Sequence, residues 1–113
     1  MAHTETFHLP SVTLEVDFAG DEAVYDLKML RCEMKQGLRN CLVSDGVAFQ
    51  QRESSEHWKK GEGPDSRLES VLDGWICTKG YPCAKEKDRH GGKMRWVLQC
   101  GERVTILLVP NEG

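Results

Sequence analysis

Val12, Leu14, Val16 and Phe18 alternate with Thr13, Glu15 and Asp17, a period of two that a β-strand converts into one dry face and one wet face. A chain with such a strand needs a sheet packed on one side against a core. Near the other end, Val104-Thr-Ile-Leu-Leu-Val109 is apolar at both parities. That pattern suits a central strand covered on both sides, or one whose second face is buried by another subunit. At 113 residues there is room for one hydrophobic core, so residues 1–113 are expected to form a single domain.

Between these strands the pattern changes period. Gly20-Asp21 turns the chain and Asp21 can cap a helix, while Ala23, Leu27, Leu30 and Met34 fall at helical spacing. The helix is expected from Glu22 to Gln36, with Gly37 ending it. Cys41–Ser44 and Val47–Gln50 around Asp45-Gly46 read as a β-hairpin, and Gln51–Gly63 as a polar loop. Ser66-Arg-Leu-Glu69 has capping-box spacing, which predicts a short helix to Asp73 stopped by Gly74. A long loop follows, with a short extra strand at Trp75–Thr78. Met94–Cys100 and Arg103–Val109 are then two strands joined at Gly101-Glu102, where a leading glycine suits a type II′ turn.

This order predicts an α+β two-layer sandwich, a mostly antiparallel sheet with two helices on one face, and it is compatible with a ferredoxin-like topology. The composition, 39% apolar and 29% charged, is that of an ordinary globular domain. No apolar stretch approaches the ~20 residues that cross a bilayer, and the first residues lack the basic and apolar regions of a signal peptide. The expectation is a cytoplasmic protein with no membrane association. Five cysteines without CxxC spacing read in that setting as free thiols packing as small hydrophobes.

Charge is segregated along the chain. Residues 1–26 carry six acids and no Lys or Arg. From Cys77 to Arg95 the cations Lys79, Lys85, Lys87, Arg89, Lys93 and Arg95 face only Glu86 and Asp88, a local charge of +4 in a chain whose total is -3. This segment is the candidate anion-binding site, and Gly91-Gly92 would let backbone amides approach an anion. Trp75, Tyr81 and Trp96 beside it would supply an aromatic platform on which bases stack. A net acidic chain does not fit bulk nucleic-acid binding, and the same tryptophans also fall at core positions.

Cys77, Cys83, His90 and Cys100 have the donor set of a Cys3His zinc site, although their spacing fits no standard knuckle, so zinc is the one cofactor the sequence raises and none is required by it. Cys83, His90 and Asp88 are the only local thiol, imidazole and carboxylate; no oxyanion-hole or nucleophile motif accompanies them, which weighs against an enzyme. His3, His8 and His57 read as surface residues. The functional expectation is a small non-enzymatic binding module acting through a protein partner or self-association. The doubly apolar last strand favours a homodimer, because one helical layer covers one sheet face. The alternative is nucleic-acid or phosphate binding through the basic 77–95 segment, and a small thiol enzyme or ligand-binding fold is a third class.

Overall fold

The alternating segment is a strand, and it sits near the middle of a larger sheet than the pattern suggested. The computed structural model describes residues 3–9, 12–21, 23–44, 49–52, 55–58, 68–87 and 93–110. In chain order the elements are β1 (His3–His8), β2 (Val12–Phe18), α1 (Tyr25–Ser44), β3 (Phe49–Arg52), β4 (Ser55–Trp58), α2 (Leu68–Lys79), β5 (Cys83–Lys87), β6 (Met94–Gln99) and β7 (Arg103–Pro110). One sheet runs in the order β3-β4-β1-β2-β7-β6-β5. Every neighbouring pair is antiparallel except β1 with β4, which is parallel.

The architecture is α+β in two layers. Leu14, Val16 and Phe18 of β2 are buried, as are Val104 and Ile106 of β7 and Trp96 and Leu98 of β6. They form one core with Met34, Leu38 and Leu42 of α1 and Leu68, Leu72, Trp75 and Ile76 of α2. Both helices therefore cover the same face of the sheet. The finer ferredoxin-like expectation is not confirmed, because β1 and β2 are a hairpin of sequence neighbours and β7 lies between β2 and β6.

Several expectations are corrected. β1 is a strand although Phe7 is its only apolar residue; six register pairs to β2 hold it. α1 does not stop at Gly37 but continues to Ser44, so Cys41–Ser44 is helix and not the first limb of a hairpin. Arg31, Met34, Leu38 and Leu42 are its buried residues, at i, i+3, i+7 and i+11. A Cβ on Gly37 would lie 3.4 Å from the Trp75 ring, so this glycine marks the close approach of α2. The Asp45-Gly46 turn and Ser66 of the capping box lie outside the described residues. Part of the expected 51–63 loop is β4, whose antiparallel partner is β3.

α2 likewise passes its expected stop. Gly74 lies inside it, Trp75–Thr78 is helix and not strand, and the helix ends at Gly80, whose φ of 73° is left-handed. The Gly80 N–H donates to the carbonyls of Ile76 and Cys77 at 3.0 and 3.1 Å, which satisfies carbonyls the helix leaves open. Much of the expected long loop is β5, paired from Cys83 to Lys87 with β6. The β6–β7 hairpin is present with a three-residue connection, Cys100–Glu102, since Gln99 pairs with Arg103; Gly101 takes a φ of 86° there.

Candidate interaction surface

Strand pairing divides the basic segment between the two faces of the sheet. Lys79 is exposed in the last turn of α2. Lys85 lies on the helical side of β5, where its Nζ reaches Glu69 at 2.7 Å and Asp73 at 2.8 Å and sits 5.6 Å from the Trp96 ring centroid. Asp73 also accepts a hydrogen bond from Trp96 Nε1 at 2.8 Å. Lys85 therefore braces β5 to α2. Its hydrogen bonds to Asp73 and Glu69 raise its pKa, which keeps the ammonium charged. On the other side, Arg95 pairs with Glu86. Lys87, Lys93, Arg95, Glu86 and Leu107 line a recess of about 370 Å³. A second recess of about 310 Å³ shares Glu86 and Arg95 and adds Val97, Arg103 and Thr105. Arg89 lies outside the described residues.

The expected aromatic platform is not gathered on that surface. Trp75 is 7% exposed and Trp96 is 1% exposed, both in the core. Tyr81 is half-buried against it, and burial raises its pKa. Of the expected zinc donors, Cys77 and Cys83 are exposed, and Cys100 is buried with its Sγ 3.5 Å from Met34 Sδ. His90 and Asp88 lie outside the described residues, and among those described no group of three His, Cys, Asp or Glu is placed to hold a metal ion. Burial, and then the charge of Asp73, push the Cys83 thiol up, against a backbone hydrogen bond and Lys85; burial and Glu102 do the same for Cys100. Neither thiol is activated as a nucleophile needs.

Among the described residues one face of the sheet carries no helix; the sequence foresaw the apolar second face of β7 but not the charges that surround it. The ladder aligns its outward residues in rows: Thr6, Glu15, Leu107, Arg95 and Glu86 in one, and Thr4, Asp17, Thr105, Val97 and Ala84 in the next. Leu107, Val109 and Val97 are half-buried there. To one side of Leu107 stand the acids of β2, with Asp17 accepting a hydrogen bond from Thr4 Oγ1 at 2.6 Å. To the other side stand Arg95 of β6 and Lys93 just before it, while Arg103 lies on β7 itself. The alternation of β2 foretold that Glu15 and Asp17 share a face; only the pairing of β2 with β7 and β7 with β6 places Glu15 across Leu107 from Arg95.

The described residues also form clefts on the helical side. One of about 220 Å³ between β1 and α1 is lined by His3, Glu5, Lys28, Arg31, Cys32 and Lys35, where His3 Nε2 lies 2.7 Å from Glu5 Oε1 and Lys35 Nζ is 3.3 Å from Glu5 Oε2. Another runs between the helices and includes Cys41, Ser70, Gly74, Trp75 and Thr78. No helix among the described residues is long and apolar enough to cross a membrane. The chain matches no family model, no curated protein and no solved structure, so what it can bind is read from these surfaces alone.

Proposed function

We propose that this protein is a small non-enzymatic binding module that engages a protein partner through the helix-free face of its sheet. The observation that carries this reading is the central strand β7. It packs Val104 and Ile106 into the core and presents Leu107 and Val109 on the opposite face, where the described residues supply no second layer. Apolar side chains flanked by charges, on a rigid sheet, are the makings of an interface with an apolar centre and a polar rim. A cytoplasmic setting fits five free thiols.

The test is association measured for a Leu107→Asp/Val97→Asp variant beside a Met29→Asp control, Met29 being exposed on α1. Any partner isolated with the wild type must bind the purified protein in calorimetry, and the sheet variant must lose that binding or the protein's self-association while the control keeps it. Association that survives in the sheet variant removes the face from consideration.

A second reading, binding of phosphate or another small anion, has its own support in the recess lined by Lys87, Lys93 and Arg95 against the single acid Glu86. Pyrophosphate binding should weaken with salt. It should fall far more in Lys87→Ala/Lys93→Ala than in Lys79→Ala. Equal losses would show a diffuse charge effect and no site.

A further inference from the structure

We infer that the occupant of the helix-free face is a second copy of this chain, docked about a two-fold axis that runs along β7. This rests on the proposed use of the face and adds the partner and the register. In the row of Leu107 the charges next to β7 are of opposite sign on its two sides, although Arg95 also pairs with Glu86 of its own chain. Glu15 lies one strand to one side of Leu107, on β2, and Arg95 lies one strand to the other side, on β6. Rotation by 180° about an axis along β7 keeps each residue at its height and exchanges the two sides. Leu107 then stacks on Leu107 of the second copy, and Glu15 comes opposite Arg95 of the second copy, with the reciprocal pair formed by the same operation. One strand further out, Glu86 faces Thr6 of the second copy. In the next row Thr105 meets Thr105 of the second copy. A self-complementary patch of this kind is what an isologous interface requires.

Among the described residues, the one like-charge meeting is Arg103 with its own counterpart. It lies at the end of the strand, where a long side chain can turn toward Asp17 of the second copy one row away. The sheets would pack about 10 Å apart and rotated by about 30°, so the register holds best in the central row that carries Leu107. Five strands at about 4.8 Å, each about 20 Å long, give a patch of about 500 Å² in projection. Side-chain relief brings this toward the ~800 Å² per partner of a standard interface. An unrelated partner would have no reason to match this opposition of charge in the Leu107 row.

The experiment is charge reversal with cross-complementation, read by sedimentation or light scattering at low salt. The wild type should be dimeric at high micromolar concentration. Glu15→Arg alone and Arg95→Glu alone should each weaken the dimer by at least about tenfold, because the axis repeats every like-charge contact. Mixing the two variants should restore a heterodimer, since every reversed residue then faces its opposite. Thermal unfolding of each variant shows that it is folded, and the rescue on mixing cannot come from misfolded chains. A wild type that stays monomeric overturns the second-copy inference and leaves the face open to another protein, which the Leu107→Asp/Val97→Asp comparison tests separately. A dimer indifferent to both reversals, or variants that fail to rescue each other, also overturn it.

Discussion

Lys85 shows how a residue chosen for its charge is used for its geometry. It sits in a run of cations, yet its Nζ lies between Glu69 and Asp73 over the Trp96 ring. Asp73 is the centre of this group. Burial pushes its carboxyl up, but hydrogen bonds from Lys85 and Trp96, together with the charge of Lys85, outweigh that and leave it below the usual value. A carboxyl depressed in the folded state contributes stability that is complete above its unfolded pKa of about 3.9 and is lost as pH falls through the folded value. Asp73→Asn should therefore be less stable than the wild type at neutral pH, and the gap should close in urea titrations below about pH 4. The Asp73 side chain is 43% exposed, so solvent screening keeps the ion-pair part of this gap below about 1 kcal/mol. A gap that widens in acid would contradict the assignment.

At the scale of elements, the helices ran on where the sequence placed their ends. Gly37 and Gly74 looked like stops because glycine costs a helix about 1 kcal/mol relative to alanine. Burial of Leu38 and Leu42 after the first, and of Trp75 and Ile76 after the second, overrides that cost. The strands β2, β6 and β7 were legible because their period-two or continuous apolar patterns coincide with burial. β1 was not, since its hold comes from pairing with β2 and not from its own side chains. Two substitutions separate the glycines. A Cβ on Gly74 meets nothing within 4 Å, so Gly74→Ala should stabilise by up to about 1 kcal/mol. Gly80 is equally open but left-handed, so Gly80→Ala should cost about 1 kcal/mol. Urea denaturation of the pair decides, and stabilisation at Gly80 would refute the terminator role.

Arg31 on α1 ties that helix to the β6–β7 turn. It donates to Glu102 Oε1 at 3.1 Å and Oε2 at 3.2 Å, and to the Gly20 carbonyl at 2.8 Å, with its guanidinium 5.4 Å from the Phe18 ring centroid. Arg31 and Glu102 are 7% and 9% exposed. A Cβ on Gly20 would fall 2.6 Å from Glu102 Oε2, so the glycine leaves room for the pair. Breaking a buried pair strands a charge, so Arg31→Met should cost about 3 kcal/mol, whereas Arg31→Met/Glu102→Leu should recover much of it. Equal losses in the single and double variants would show that packing, and not the ion pair, is what Arg31 supplies.

Across the whole molecule, the sheet is unequal in how its strands are held. β2 and β7 each have neighbours on both sides and are paired over seven register positions, with α1 and α2 packed on their buried face. β3 and β4 form a hairpin that joins the rest through three parallel pairs between β4 and β1. Parallel pairing is slightly weaker per residue than antiparallel, and among the described residues this short seam is the only strand pairing that must part for the hairpin to leave the sheet. The seam to β4 was not legible in the chain, because Ser55–Trp58 has neither the alternation nor the apolar run that marks a strand. Opening of the hairpin should then be a local event, separate from global unfolding. Native-state amide exchange tests this directly. Amides of Phe49–Arg52 and Ser55–Trp58 should exchange by a route insensitive to low denaturant, while those buried in the β2–β7 ladder should exchange only with global unfolding. If the hairpin amides share the denaturant dependence of β2 and β7, the sheet opens as one unit.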